Sequence, residues 1–128
     1  MSRECVIKGS WSNNDDKIVV KLQMIEFEEN GVTIIYCPAL DLSGYGNNSK
    51  EAEESFNISL SEFFLYTLHK GTFYNEFKRL GWKVHEKKKS KPMTPPSMES
   101  LLRENANFSR VFENYDFRKF KKGISIPA

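Results

Sequence analysis

The feature that most constrains the fold is a pair of strand-like segments joined by Asn30-Gly31. Apolar residues alternate with other residues from Ile18 to Met24, which is the period of a half-buried strand. The apolar phase then moves by one residue, which predicts a β-bulge near Met24–Ile25. Both central positions of a type I′ turn need positive φ, which Asn and Gly tolerate, and residues 32–37 are rich in β-branched and aromatic side chains. The sequence therefore predicts a hairpin from Lys17 to Cys37.

A long amphipathic helix is predicted over about 50–70, after a short, glycine-broken third strand in residues 39–48. Ser49 is suited to the N-cap position, and acidic residues follow in the first turns. Residues spaced by three and four positions form one apolar stripe that we expect to cover the sheet: Ala52, Phe56, Ser59, Leu60, Phe63 and Thr67. A shorter helix from Thr72 to Leu80 and a final strand over 82–85 complete the predicted domain.

The C-terminal part differs in composition from the rest of the chain. We divide the chain into an N-terminal leader (1–16), a compact domain (17–85), a basic proline-rich linker (86–97) and a C-terminal extension (98–128). Because 128 residues suit one compact domain, no second independent core is expected.

The extension is predicted to hold a short helix, capped by Ser97 and ending near Asn105, and a very short terminal edge strand over 123–128. It has too many aromatic residues for a disordered tail, so we expect it to dock on its own domain or on a neighbouring subunit. Neither a second long helix nor a helix pair is expected in 86–128, which argues against an operator-binding domain there.

The charge is divided unevenly along the chain. Residues 1–85 hold nine Lys and Arg against twelve Asp and Glu, a net charge of −3, whereas residues 86–128 hold ten against five, a net charge of +5. This division favours a basic partner for the acidic body or an anionic partner for the tail. A solvated surface without any partner explains it equally well.

The residue types that carry most enzyme chemistry are sparse. Cys5 and Cys37 are the only cysteines, and no Cys or His pair has metal-ligand spacing, so we expect free thiols and no metal or other cofactor. His69 and His85 have no Ser or Cys partner that the sequence can support, and we expect both at the surface. Gly44-x-Gly46 lacks the further residues of a nucleotide-binding loop. The sequence predicts no catalytic site.

Two further absences bear on location. The first twelve residues carry charges and have no continuous apolar stretch of the kind found in a signal peptide. No segment approaches the roughly 18 apolar residues that span a bilayer. We therefore expect a cytoplasmic protein that does not enter a membrane.

Several short motifs within about 17–85 together resemble the HicB antitoxin family. They are Tyr36-Cys-Pro-Ala-Leu40, Ser43-Gly44, Gly46 and Ser49-Lys-Glu-Ala52. In that family a strand runs into a Pro-x-Leu turn, and a glycine-containing strand and a Ser/Thr-x-Glu-Ala helix start follow. Here the order is hairpin, proline turn, short glycine-rich strand, helix and Leu-Gly-Trp strand.

This resemblance implies an α+β fold, a partial ribonuclease-H-like antiparallel sheet of three to four strands with one long helix on one face. It also implies an antitoxin that neutralises a HicA-type RNA-cleaving toxin by direct protein–protein binding. It does not imply nuclease activity, because the strands 18–27 and 32–40 offer only Glu26, with Asp41 just beyond, too few carboxylates for a two-metal site.

Two groups of residues are candidates for binding. A bend after the hairpin could leave apolar and aromatic side chains exposed beside a carboxylate, as an anchor for a basic partner: Tyr36, Pro38, Asp41, Leu42 and Tyr45. The alternative is that they fill the edge of the core. A lysine run could contact phosphates or act only as a solubilising linker: Lys87, Lys88, Lys89 and Lys91.

Two alternative functions remain open from the sequence. The first is an orphan HicB-like interaction domain that acts as a homo-oligomer, and the second is a weak nucleic-acid binder that uses the 87–91 lysine run. We expect a homodimer, because a sheet covered on one face would leave Val19 or Ile25 open, and because Ile124 and Ile126 could pair with a neighbouring chain.

Overall fold

The computed structural model describes residues 11–12, 17–84 and 93–127, and it is an α+β fold, as predicted. Its main sheet is antiparallel and contains five of the described strands. They are β1 (Trp11–Ser12), β2 (Lys17–Glu29), β3 (Val32–Cys37), β4 (Leu42–Gly46) and β7 (Phe117–Pro127). The predicted hairpin is confirmed, because β2 and β3 pair around Asn30-Gly31, and both turn residues have positive φ.

Strand β7 is the least expected member of the sheet. It pairs with β2 over eleven residues, from Lys17 opposite Pro127 to Phe27 opposite Phe117. The predicted terminal strand therefore exists, but it begins near residue 117 rather than near 123, because the basic and aromatic stretch before Gly123 also pairs. Because β7 pairs with β2 of the same chain, the C-terminal extension docks on its own domain.

The predicted β-bulge near Met24–Ile25 is wrong. The pairing of β2 with β7 runs without a skipped residue through both positions. Met24 and Ile25 are nevertheless both buried, and side chains of consecutive strand residues point to opposite faces of a sheet. The change in apolar phase therefore arises because both faces of the sheet are covered at this point, not because the strand slips.

Helix α1 (Ser49–Lys70) packs on one face of β3 and β4. Its N-cap is Asn48, whose side chain accepts a hydrogen bond from the backbone N–H of Glu51, so the assignment of Ser49 as N-cap is off by one residue. Gly71, with φ of 72°, ends the helix. The predicted stripe faces the sheet: it is buried at Ala52, Phe56 and Thr67 and partly buried at Ser59, Leu60 and Phe63.

The close approach of α1 to β4 depends on Gly44. A Cβ atom at this position would overlap the backbone N of Phe56 and the backbone O of Ala52, and would lie 2.6 Å from the Phe56 Cα. Only glycine fits between a strand and a helix backbone at this distance. Gly44 and Gly46, where an added Cβ would meet α1 atoms, are therefore packing residues.

Helix α2 (Phe73–Arg79) continues the layer formed by α1. Thr72 precedes it as predicted but makes no side-chain capping hydrogen bond. Gly81, with φ of 97°, follows the helix, and Trp82 then leads into β5 (Lys83–Val84). This short strand pairs with β6 (Met93–Thr94) in a separate two-stranded sheet, so part of the segment predicted as a linker is a strand.

Two consecutive helices, α3 (Met98–Glu104) and α4 (Ala106–Asn114), cover the second face of the main sheet. The contacts on this face include the Phe27 and Tyr115 rings, whose centroids are 5.1 Å apart, and a hydrogen bond between Tyr36 and Asn105. The expectation of no helix pair in 86–128 is wrong. Helices α3 and α4 are separated by one residue, Asn105, which is the C-cap of α3 and the N-cap of α4. The sheet face on which the expected homodimer depended is therefore covered within the chain.

No helix among the described residues is long and apolar enough to cross a membrane.

Candidate protein-binding surface

The turn after β3 is built around the hydroxyl group of Tyr36. This hydroxyl donates a 2.5 Å hydrogen bond to the Asp41 carboxylate and accepts one of 2.9 Å from the Asn105 side chain. The pKa of the Tyr36 phenol is raised far above its ordinary value, mainly by burial and also by the neighbouring Asp41 carboxylate. Asp41 has φ of 55°, a conformation that Asp adopts more readily than most residues. The network fixes the turn against the α3–α4 junction.

A second contact fixes the same turn from the side of α2. The Trp82 indole N–H donates a 2.8 Å hydrogen bond to the backbone carbonyl of Ala39, and both residues are buried. Between the turn, the end of α2 and the start of α4 lies a cavity of about 260 Å³, whose wall includes Asp41, Arg79 and Glu104. The turn is therefore a rigid platform rather than a loose loop.

The five residues predicted to bind a partner divide into two groups. Tyr36 and Pro38 are buried, so the expectation that they are partly exposed is wrong for these two, and the alternative that they fill the edge of the core holds. The cause is that α3, which was predicted after Ser97, and α4, which was not predicted, close over the turn. Asp41 and Tyr45 are exposed, and Leu42 is half-buried.

The exposed members lie along β4 and the residue before it. We name Asp41, Ser43 and Tyr45 the β4 surface, since the half-buried Leu42 shares with Gly44 the side of the strand that faces α1. Tyr45 is 57% exposed, and its backbone N–H donates to the Ser55 hydroxyl of α1 at 3.1 Å, so the strand is held in place while the ring stays free. An exposed aromatic side chain on a rigid backbone is the usual anchor of a protein interface.

The Tyr45 ring stands beside a small cavity of about 110 Å³ between β4 and α4, whose wall also includes Glu29, Ser43 and Arg110. The Glu29 carboxylate accepts a 2.8 Å hydrogen bond from the Tyr115 hydroxyl and lies 4.0 Å from the Arg110 guanidinium. An aromatic face next to a carboxylate can bind a Lys or Arg side chain through a cation–π contact and an ion pair.

The lysine run Lys87, Lys88, Lys89 and Lys91 lies outside the described residues. The described part of the tail carries six basic residues, four of which lie on β7. Arg118 pairs with Glu26 at 2.6 Å, and Lys122 pairs with Glu53 at 2.9 Å, so two of the four basic side chains of this strand are neutralised within the chain. The remaining pair, Lys119 and Lys121, is exposed.

The described residues offer few groups for catalysis. No set of three or more His, Cys, Asp or Glu side chains among them could hold a metal ion. Cys37 is fully buried, and burial raises the pKa of its thiol to about 12, so the thiolate form that acts as a nucleophile is suppressed. His69 is exposed at the end of α1, while Cys5 and His85 lie outside the described residues.

A second exposed surface, which was not predicted from the sequence, lies on the side of α1 that points away from the sheet. Ile58, Leu65 and Leu68 are 60%, 70% and 46% exposed, and Tyr66 beside them is 63% exposed. We name Ile58, Leu65 and Leu68 the outer stripe. Their spacing of seven and three residues also fits one side of a helix. They were not singled out from the sequence, because the stripe that contains Phe56 already explained how α1 packs on the sheet.

Comparison with known proteins returned no match to any protein-family model, to any curated protein or to any solved structure.

Proposed function

We propose that this chain is a protein-binding module that resembles a HicB antitoxin and neutralises a small basic RNA-cleaving toxin of the HicA type by binding it directly. The observation that carries the proposal is the exposed Tyr45 ring on a rigid strand within the segment that resembles the family signature. The binding surface is the β4 surface, and Tyr45 is its anchor.

The packing of the motifs that resemble the HicB family supports the proposal. The proline turn, the glycine strand and the start of α1 form one rigid unit, in which Gly44 permits the approach of α1 and Trp82 holds the turn. A rigid unit binds with little loss of conformational entropy, which favours recognition over catalysis.

The electrostatics also favour a basic partner. The part of the chain from 1 to 85 has a net charge of −3, and Glu29 lies with Tyr45 in the wall of one small cavity. A Lys or Arg of the partner can lie over the exposed Tyr45 ring in a cation–π contact. Such charge complementarity increases the association rate and discriminates against acidic proteins.

A growth assay tests this proposal. Any small basic protein that a flanking gene encodes is expressed from an inducible promoter, alone and together with this chain. We expect the basic protein to stop growth by cleaving RNA and this chain to restore growth. The Tyr45→Ala variant should restore growth poorly, whereas Tyr66→Ala, which removes an equally exposed tyrosine from α1, should act like the wild type.

Growth that stops equally with and without the wild-type chain, although both proteins are soluble, would contradict the proposal. Full protection by Tyr45→Ala would contradict the assignment of the β4 surface. The level and the melting temperature of each variant are measured in parallel, so that loss of folding is not mistaken for loss of binding.

A further inference from the structure

Helices α3 and α4 cover only one end of the second face of the main sheet. Side chains two residues apart on a strand share a face, and so do cross-strand partners. Phe27 marks the covered end, because its ring centroid lies 5.1 Å from that of Tyr115 at the end of α4. Its partner Phe117 begins a row on β7 that continues at Lys119 and Lys121. Both lysines are exposed, so this end of the face is open to solvent within the described part of the chain.

A third lysine joins the same row from β2. Lys21 is exposed, and because its partner on β7 is Gly123, it lies diagonally opposite Lys121, at about 7–8 Å. Gly123 has no side chain, and the Gln23 side-chain amide donates a 3.0 Å hydrogen bond to the Phe120 carbonyl and so lies along the strands. The side chains that project from this end of the face are therefore lysines. We name them the lysine row: Lys21, Lys119 and Lys121.

The charge of the lysine row is not balanced within the part of the chain that the structure describes. None of its members has an ion pair there, and the acidic residues nearest to β7 in the chain, Glu113 and Asp116, do not pair with it. By contrast, Arg118 and Lys122 on the other face of β7 are both paired. Lysines on an edge strand can serve only to prevent edge-to-edge pairing, but Lys21 lies on β2, whose edge β7 covers here. Adjacent like charges destabilise a strand pair, so the row suits a polyanion.

An exposed aromatic ring stands at the covered end of the lysine row. Phe112 of α4 is 42% exposed, and its ring centroid lies 5.4 Å from that of Phe117, which precedes Lys119 on the same face. Proteins bind single-stranded nucleic acid by stacking bases on such rings while basic side chains follow the backbone. The combination favours a single strand over a duplex, whose bases are already stacked, and over an acidic protein, which has no base to stack.

We infer that the lysine row and Phe112 bind single-stranded nucleic acid, with its phosphates on the three lysines and one base on the Phe112 ring. From Phe117 to Gly123 the row is about 20 Å long at 3.4 Å per residue, so the site is small, on the order of four nucleotides. Lysine contacts to phosphate carry no sequence information, so ribose and deoxyribose strands should bind alike.

This inference goes beyond the proposed toxin binding and is independent of it. Strands β7 and β4 lie at opposite edges of the main sheet, with β2 and β3 between them. A nucleic acid on the lysine row therefore leaves the β4 surface free. The test below uses the full chain without any toxin, so its failure does not bear on the proposed function.

Fluorescence anisotropy with labelled oligo-uridine and oligo-thymidine of about twelve nucleotides tests the inference. We expect both to bind equally, and the logarithm of the association constant should fall against the logarithm of salt concentration with a slope of about −2, since each phosphate contact contributes about −0.7. Lys119→Gln combined with Lys121→Gln should weaken binding at low salt at least about tenfold and reduce the slope to about −0.7. The control Lys50→Gln combined with Lys83→Gln, which removes two exposed lysines elsewhere, should bind like the wild type.

Phe112→Leu separates stacking from charge. Leucine keeps an apolar side chain against Phe117 but offers no aromatic face, so the affinity should fall at least about fivefold while the salt slope stays the same. Thermal melting of each variant, followed by circular dichroism, shows that the chain remains folded.

Absence of binding to both oligonucleotides at low salt would overturn the inference, and so would an equal loss in the control pair. A loss that appears instead in Lys87→Gln combined with Lys88→Gln would assign the binding to the 87–91 run and refute the lysine row. An unchanged affinity in Phe112→Leu would refute stacking, and a preference of more than about tenfold for one of the two sugars would refute the proposed mode of contact.

Discussion

Replacing Gly44 by alanine tests the contact on which the whole α+β arrangement depends. The added Cβ would overlap backbone atoms of Ala52 and Phe56, and backbone atoms cannot rotate out of the way as a flexible side chain can. The helix must therefore move off β4, and part of the contact of α1 with the sheet is lost. Overpacking in a core costs about 1–3 kcal/mol, and a clash with helix backbone belongs at the upper end, near 3 kcal/mol.

The expected change in melting temperature follows from the size of the chain. At about 2.1 cal/mol/K per residue, 128 residues give an entropy of unfolding of about 0.27 kcal/mol/K. A loss of about 3 kcal/mol then lowers the melting temperature by about 11 °C. Circular dichroism at 222 nm, followed during heating, measures this shift.

Gly31→Ala is the matched control. An added Cβ at Gly31 meets nothing within 4 Å, and only the positive φ of 81° is unfavourable, at a cost of about 1 kcal/mol. This variant should melt only about 4 °C below the wild type. If Gly44→Ala melts no lower than Gly31→Ala, the close approach of α1 to β4 is wrong, and the packing argument fails with it.

Two further predictions concern buried polar groups. The folded chain holds the pKa of Cys37 near 12, against an ordinary value of 9.0, so above pH 9 only the unfolded chain loses this proton and stability falls. Between pH 8 and about pH 10.5, urea denaturation should show the wild type losing about 2 kcal/mol more than Cys37→Ala, and equal losses would contradict the burial of the thiol. Asn105→Ala removes both the cap of α4 and the hydrogen bond to Tyr36 and should cost about 2 kcal/mol, whereas Asn105→Ser keeps a capping group and should cost about 1 kcal/mol. Equal losses of denaturation free energy in the two Asn105 variants would show that the cap of α4 contributes nothing, and no loss in Asn105→Ser would show the same for the bond to Tyr36.

The local elements were predictable because their signals are local. The turn at Asn30-Gly31 needs positive φ, and the stripe that contains Phe56 has a helical period, so the hairpin and α1 follow from neighbouring residues alone. The N-cap was displaced by one residue, from Ser49 to Asn48, because both side chains can accept the capping hydrogen bond.

What could not be predicted depends on contacts between distant residues. The pairing of β7 with β2 joins residues about a hundred positions apart, and no local pattern encodes such a register. The burial of Tyr36 follows from the arrival of Asn105, and the apparent bulge at Met24 reflects a covered second face. The candidate site was therefore found only in part: Tyr45 is exposed, while its expected neighbours Tyr36 and Pro38 belong to the core.

The most direct test of the proposed recognition is a calorimetric titration of this chain with any purified small basic protein that a flanking gene encodes. We expect a saturable complex that abolishes RNA cleavage. Its affinity should fall about 30-fold in Tyr45→Ala but not in Tyr66→Ala, since an interface anchor contributes about 2 kcal/mol. Absence of binding heat together with undiminished RNA cleavage, at a large excess of folded chain, would contradict it.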